Sequence, residues 1–309
     1  YLYGCSRYLL ARGERSVASE LWPALEWCAE YCRRRTNADG VVASDTDELE
    51  GRFPTGKANL STSALAYGGC RAAAAVARGL GHDGQAAELT RRAEALETAI
   101  ERTFGAEVEG YATYRYFAGC TLLRSWICLP LTMGIVRRAQ GTIAALFSPR
   151  LWTADGLATQ AGDRTFWDRA TLYGLRGVFA AGDTETALHH LTALSQRRLL
   201  GDHVPYMVEA WPEGGQAHLA AESALYGRVF TEGLFGITPT GFTAFSCRPR
   251  LPAAWERMAL RGVHAFGQTF DLEVERHGSA HVRAVTTTAD GRRQTRDLDA
   301  GQAAEFCFA

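Results

Sequence analysis

The sequence lacks the features that mark membrane proteins and nucleic-acid-binding proteins. No apolar run approaches the length of about 18 residues that a membrane-spanning helix requires, so we expect no membrane partner. Neither sign of charge dominates, because 33 lysines and arginines are balanced by 34 aspartates and glutamates, for a formal net charge of −1. Nucleic acids and anionic membranes select a basic surface. The charge balance therefore argues against both and favours a neutral ligand such as a sugar.

Motifs for several other chemistries are also missing. The sequence contains no phosphate-binding G-x-x-x-x-G-K-[ST], no convincing G-x-G-x-x-G after a strand, no H-E-x-x-H and no G-x-S-x-G. The eight cysteines are scattered, without a Cys–His set at zinc spacing, so we expect no metal or organic cofactor. A disulfide framework is typical of much shorter secreted chains. The scattered thiols therefore favour the cytoplasm over the periplasm, and the oligomeric state is left open.

The residues that are present are those of a globular protein. The chain has 309 residues, of which 47% are hydrophobic and 22% are charged. Seven tryptophans and eleven tyrosines are available. Such rings stack well on sugar faces, although most aromatic side chains lie in the core of any protein.

Helical patterns dominate the chain as far as about residue 240. In the strongest pattern, a serine stands at the start, apolar residues recur on one face, and arginines close the end. Short loops between such helices give antiparallel hairpins, which can wind into a toroid. The predicted helices are Ser16–Arg35, Ser61–Gly79, Asp83–Phe104, Leu122–Arg138, Thr142–Phe147, Thr165–Ala181, Thr184–Arg198 and His218–Gly233.

From Gly241 onward, β patterns replace the helical ones. Apolar and charged residues alternate along residues 269–275, which is typical of a strand with one buried face. The predicted strands are Phe242–Cys247, Met258–Val263, Thr269–Glu275, His281–Thr287 and Ala304–Phe308. We therefore predict a mainly α-helical domain over residues 1–240 and a small antiparallel β-sandwich domain over residues 241–309.

The first candidate for chemistry is an acidic stretch between two predicted helices. Asp45, Asp47, Glu48 and Glu50 place four carboxylates within six residues, and Arg52 and Asn59 follow before the next helix. Close like charges or burial raise the pKa of a carboxyl group, which is the condition that a general acid needs. A solvated acidic cap of the next helix is the alternative.

The second candidate is the segment 201–216, which also connects two helices. Glu209 lies there in an apolar stretch beside Trp211, and a lone carboxylate in such surroundings is costly unless it is paired or functional. Further polar candidates in and after this segment are His203, Glu213, His218 and Glu222.

The third candidate is the segment 166–173, where Asp168 and Arg169 follow Trp167. These residues could hold sugar hydroxyls, or Asp168 could simply pair with Arg169 or cap the helix. Trp152 is a further aromatic candidate.

Two carboxyl groups on separate loops, one near residue 48 and one near residue 209, suit glycoside hydrolysis. One carboxyl group donates a proton to the leaving oxygen and the other activates water. In an inverting enzyme, the two groups lie roughly 6.5–9.5 Å apart so that the water fits between them.

Two segments resemble the six-hairpin glycosidases. Asp47-Glu48-Leu49-Glu50, followed by Asn59-Leu60-Ser61-Thr62, resembles the acidic loop and next helix of these enzymes. Maltose-phosphorylase-like enzymes have an Asp-Glu-Tyr segment before an asparagine-rich helix start, and glucoamylases have Glu-Glu-x-x-Gly. In both, this loop supplies the general acid. The first match implies Glu48 and the second implies Glu50; we prefer Glu48, because the Asp-Glu pair and the asparagine align together.

The later segment, from Val208-Glu209-Ala210-Trp211 to Leu234-Phe235-Gly236-Ile237, resembles the base-bearing loop and final helix of glucoamylases and α-L-rhamnosidases. Rhamnosidase-like chains have a Trp-Glu-x-Trp element and then a histidine-containing helix that ends near Gly-Ile. This resemblance implies that Glu209 is the general base. The stretch 248–252 leads into a β region that is similar to the C-terminal sandwich of the same enzymes.

The resemblance implies an (α/α)6 toroid followed by a β-sandwich, and an inverting, exo-acting glycoside hydrolase without a cofactor. Such a toroid has about twelve helices, more than the sequence predicts, so we expect the chain to be incomplete at its N-terminus. Two alternatives remain open: the same fold acting as a phosphorylase, polysaccharide lyase or sugar epimerase, and a non-catalytic carbohydrate-binding helical protein. Residues expected around the sugar are Asp45, Asp47, Glu50, Arg52, Asn59, Trp152, Trp167, Asp168, Arg169, His203, Trp211, Glu213, His218 and Glu222.

Overall fold

A computed structural model describes residues 1–47, 51–200, 205–210, 219–278 and 281–308. Helices dominate its first part and antiparallel sheets its last part, which confirms the predicted mainly α fold with a C-terminal β region. In the described part of the chain, no helix is both long enough and apolar enough to cross a membrane.

The helices follow the predicted ones closely where the apolar periodicity is regular. They are α1 (Leu2–Arg12), α2 (Arg15–Arg34), α3 (Leu60–Leu80), α4 (Asp83–Phe104), α5 (Cys128–Met133), α6 (Ala139–Leu146), α7 (Asp168–Ala181), α8 (Thr184–Arg198) and α9 (Ala220–Arg228). A 3-10 turn, Ser125–Ile127, leads into α5, and a π-helical turn, Val229–Leu234, follows α9.

The strands include several that the sequence did not predict. They are β1 (Gly105–Val108), β2 (Tyr111–Tyr114), β3 (Trp152–Thr153), β4 (Gly156–Leu157), β5 (Ile237–Gly241), β6 (Ala244–Cys247), β7 (Arg257–Ala265), β8 (Gln268–Arg276), β9 (His281–Thr288), β10 (Arg293–Asp299) and β11 (Ala304–Cys307). The first four form two short antiparallel hairpins, β1–β2 and β3–β4.

The predicted helix Leu122–Arg138 is wrong in its extent. Helix α5 ends at Gly134, which adopts a left-handed conformation with φ of 95°. Glycine adopts this conformation at little cost, and it is a common helix terminator. The chain then turns before α6 begins at Ala139.

The contacts divide the chain into two compact units. The first unit contains Tyr1–Arg34, Ala66–Glu94 and Leu234–Ala309, and the second contains Arg35–Leu65 and Ala95–Gly233. The domain boundary at residue 240 that the sequence suggested stays a prediction.

The first unit contains the β-sandwich and its aromatic core. One sheet has the strand order β10-β9-β8-β7 and the other has β11-β6-β5, and all pairs are antiparallel. Phe245 of β6 stacks on Phe270 of β8 at 5.5 Å and on Phe306 of β11 at 5.3 Å between ring centroids. Helix α1 joins this unit through its terminal Gly13, where an added Cβ would collide with the backbone near Phe266.

Helix α7 lies at the centre of the second unit. It contacts α5, α6, α8 and α9, and Gly177 lets it approach Thr132 of α5 closely. The first turn of α7 holds Asp168 and Arg169. The central helix therefore fixes the position of two candidate site residues.

Candidate active site

Six of the candidate residues lie outside the described residues. They are Glu48, Glu50, His203, Trp211, Glu213 and His218. The other candidates belong to the second unit, and their surroundings follow.

Asp47 of the acidic loop, residues 44–58, is anchored in a buried polar network. The Tyr116 hydroxyl donates a 2.7 Å hydrogen bond to Asp47 Oδ2, and Arg124 Nη2 lies 3.8 Å from the same oxygen. The side chains of Asp47 and Arg124 are both 0% exposed. A buried charge needs such a partner because it loses its hydration. Asp47 therefore fixes the loop one residue before Glu48.

Aromatic rings and a carbonyl hold Arg124 in place. Its guanidinium carbon lies 4.8 Å from the ring centre of Phe53 and 4.5 Å from that of Tyr116. Its Nη1 donates to the carbonyl oxygen of Pro54 at 3.3 Å. Arginine suits this position because its flat, weakly hydrated guanidinium stacks on aromatic faces. Arg124 is not among the residues predicted from the sequence, although a charge inside the apolar run 122–127 is the same signal that identified Glu209.

Asn59 ties the acidic loop to the start of α3. Its Oδ1 accepts from the backbone N–H of Thr62 at 2.9 Å, which is the bond of a helix N-cap. Its Nδ2 donates to the carbonyl oxygen of Thr46 at 3.1 Å. Asn59 is fully buried, whereas Asp45 and Arg52 in the same loop are exposed.

Asp168 is buried in a second polar network. Arg198 Nη1 and Nη2 each lie 2.9 Å from one of its carboxylate oxygens, and the N–H of Val208 donates to Oδ2 at 2.8 Å. The Nη2 contact is a charge-assisted hydrogen bond, and the Nη1 contact adds electrostatic attraction. Asp168 therefore fixes the backbone one residue before Glu209.

Arg169 extends from the same helical turn towards two glutamates. Its Nε and Nη2 each lie 2.7 Å from Glu222 Oε1, and its Nη2 lies 3.9 Å from Glu209 Oε1. The side chain of Glu222 is 0% exposed, whereas that of Glu209 is 54% exposed. Trp167 is buried, and its ring centre lies 5.5 Å from the Arg169 guanidinium carbon.

A series of backbone contacts links the acidic loop to the start of α7. Isolated β-bridges join Asn59 to Phe117, Arg124 to Gln160, and Ala158 to Phe166. Two hydrogen bonds reinforce the middle of this series, from Ser125 N to Thr159 O at 3.0 Å and from Ala161 N to Leu123 O at 2.9 Å. These contacts connect Asn59, at the end of the acidic loop, to the start of α7 within the second unit.

Trp152 lies in an aromatic cluster. Its ring centre lies 4.3 Å from that of His190 and 5.2 Å from that of Phe147. The rings of His190 and Phe147 stack with their centres 3.8 Å apart. Burial lowers the pKa of His190 to about 4, and the neighbouring His189 adds to this shift. The half-buried Trp152 therefore has one side engaged in packing.

The described residues offer little for a metal ion. Within residues 1–47, 51–200, 205–210, 219–278 and 281–308, no three side chains of the usual ligand types lie close enough together to hold one. The eight cysteines are free thiols, and burial raises the pKa of Cys70 and of Cys247 to about 12. Such thiols stay protonated, whereas metal binding requires the thiolate.

Solved structures share this arrangement of helices and strands. A sialidase superposes with a TM-score of 0.68 at 14% identity, over 96% of this chain and 32% of that one. The GH78-family rhamnosidase of Bacillus sp. GL1 gives 0.60 at 14% identity, over 96% and 31% of the two chains. The chain shares with these structures an (α/α)6 helical fold followed by a β-sandwich. The α-L-rhamnosidase of Streptomyces avermitilis, complexed with L-rhamnose, shares this fold with a TM-score of 0.54 at 13% identity, over 98% and 32%.

This likeness confirms the (α/α)6 fold class with a C-terminal β-sandwich that the sequence resemblance implied. The chain spans about a third of the length of each of these three structures. No protein-family model and no curated protein matches the sequence. Likeness at this level of identity establishes the fold, and the chemistry must be argued from the residues.

Proposed function

We propose that the protein is an exo-acting, inverting glycoside hydrolase. Glu48 donates its proton to the glycosidic oxygen as the bond from that oxygen to the anomeric carbon breaks. Glu209 removes a proton from a water molecule, whose oxygen bonds to the opposite face of the same carbon. The products are a sugar of inverted anomeric configuration and the released alcohol, and the two carboxyl groups have exchanged protonation states.

The observation that carries this proposal is the setting of Glu209. Its carboxylate is exposed, yet Val208 beside it is fully buried and hydrogen-bonded to Asp168. A general base must reach water while its own position stays fixed. An exposed carboxylate on a buried, ion-paired frame meets both conditions.

The acidic loop supports the other half of the reaction. The buried contacts of Asp47 with Tyr116 and Arg124 fix the chain just before Glu48. We assign Asp47, Asn59 and Asp168 to positioning, because their polar atoms are engaged inside the protein. The exposed Asp45 and Arg52 are better placed for sugar contacts, together with the half-buried Trp152.

A panel of nitrophenyl glycosides tests the proposed function. It should include α-L-rhamnosides and sialosides, because the structural neighbours carry those enzyme names. We expect hydrolysis without added phosphate, and proton NMR should show that the first product has inverted configuration. Dependence on phosphate would indicate a phosphorylase, and an ultraviolet-absorbing product would indicate a lyase. Binding without turnover would indicate a non-catalytic carbohydrate-binding protein.

The choice between Glu48 and Glu50 as the acid has its own test. Glu48→Gln should lower kcat by about 10²- to 10⁴-fold on a substrate with a poor leaving group, because such a group needs protonation. The loss should be much smaller on a nitrophenyl glycoside, whose leaving group needs little help. Glu50→Gln is the matched variant. If Glu50→Gln shows this dependence on the leaving group and Glu48→Gln does not, the acid is Glu50.

A further inference from the structure

Arg169 lies between two glutamates that differ in exposure. It makes short contacts with the fully buried Glu222 and a 3.9 Å contact with the exposed Glu209. The indole of Trp167 lies 5.5 Å from its guanidinium carbon. Together, Glu222 and Trp167 hold the guanidinium in one orientation.

The two distances have different chemical meanings. At 2.7 Å, Arg169 and Glu222 form a charge-assisted hydrogen bond. At 3.9 Å, Arg169 attracts Glu209 but is too distant to donate a hydrogen bond to it. The carboxylate oxygens of Glu209 are therefore held by charge and can still accept from water.

The guanidinium could also bind Glu209 directly. Arginine presents a fork of N–H groups that fits a carboxylate with two parallel hydrogen bonds. Such a pair would occupy the oxygens that a general base needs. The hydrogen bond to Glu222 holds Arg169 in a position from which it does not form this two-bond pair with Glu209.

We propose that Glu222 and Arg169 are positioning residues for Glu209: Glu222 holds Arg169 where it orients the base without occupying it. This inference rests on the proposed role of Glu209. It also changes the expectation that Glu222 contacts sugar, because a side chain with no exposed surface has no access to a substrate.

Kinetic measurements on Glu222→Gln and Arg169→Gln test the proposal. Each should lower kcat on the order of 10- to 100-fold, because small misplacements of a reacting group have effects of this size, and KM should change little. In a Glu209→Ala background, neither substitution should lower kcat further, because the residue through which it acts is gone. If the loss of kcat in the double variant equals the product of the losses in the two single variants, the proposal is overturned.

A partly buried ion pair elsewhere provides the control. Glu101 and Arg138 also form a 2.7 Å ion pair, with side chains that are 20% and 26% exposed. Glu101→Gln should cost stability as Glu222→Gln does but leave kcat unchanged. Equal losses of kcat in both variants would show a general effect of stability and would contradict a positioning role.

A measurement without substrate separates this proposal from the proposed function. The carboxyl carbon signal of Glu209 can be assigned in protein carrying 13C-labelled glutamate, by its loss in Glu209→Gln. The chemical shift of this signal should change in Glu222→Gln and should stay the same in Glu101→Gln. An unmoved signal in Glu222→Gln would overturn the proposal, whereas a wild-type protein inactive on every glycoside would reject the proposed function alone.

Discussion

At the scale of single residues, buried charge is concentrated in the second unit. Among the described residues, the charged residues with almost fully buried side chains include Asp47, Arg124, Asp168, Arg176, Arg198 and Glu222. Removing one member of a buried ion pair costs about 3–5 kcal/mol, although the intact pair adds little to stability. We interpret these pairs as devices that fix geometry, since five of these six residues adjoin the candidate site.

His190 gives the stability of the protein a dependence on pH. Burial, with the help of His189, lowers its pKa from the ordinary 6.5 to about 4 in the folded protein. Between these two pKa values the unfolded chain binds more protons than the folded protein does. The contribution of His190 to stability is therefore complete above about pH 6.5 and is lost as the pH falls towards about 4. His190→Phe should keep the stacking on Phe147 and flatten this dependence in urea unfolding. If the variant keeps the wild-type slope while the exposed His277→Gln loses it, the assignment is wrong.

At the scale of helices and loops, Asn59 couples stability to activity. Removing an N-cap costs about 0.5–2 kcal/mol, and Asn59→Ala should lower the free energy of urea unfolding by about this amount. It should also lower kcat, because it removes the bond to Thr46 that ties down the acidic loop. Asp183→Ala is the control, since Asp183 caps α8 through Thr186. Asp183→Ala should lower stability and leave kcat unchanged. If Asp183→Ala and Asn59→Ala lower kcat equally, Asn59 does not couple stability to activity through the acidic loop.

Local patterns predicted the regular elements well but missed two of the four edge strands of the sandwich. Helices α4 and α8 have the predicted bounds, because an uninterrupted apolar face specifies a helix directly. Strands β5 and β10 were missed. Each lies at the edge of its sheet. Strand β5 contains Pro239, and in β10 only Leu298 is buried, so neither shows the alternation that marks a half-buried strand.

The candidate site was predictable only in part. Glu209 stood out because a charge in an apolar stretch requires an explanation. The contacts that hold Asp168, with Arg198 and Val208, join residues 30 and 40 positions away in the sequence. Pairing over such distances is set by the packing of helices, and no spacing rule within one segment reveals it.

At the scale of the whole molecule, the fold and the chemistry rest on different observations. The superpositions establish an (α/α)6 fold with a C-terminal β-sandwich over nearly all of this chain. The chemical argument rests on the second unit, where β-bridges connect the acidic loop to the start of α7. The account therefore requires that Glu209 act in the same reaction as the acid from that loop.

Rescue of Glu209→Ala by azide is the most direct test of this account. Azide attacks an anomeric carbon without needing a base, so it replaces the activated water. On the glycoside that the wild-type protein hydrolyses, Glu209→Ala should lower kcat by about 10²- to 10⁴-fold. Azide should restore turnover and give a glycosyl azide of inverted configuration, while the exposed Glu107→Ala behaves as wild type. Near-wild-type turnover of Glu209→Ala without azide, or an azide product of retained configuration, would contradict the account.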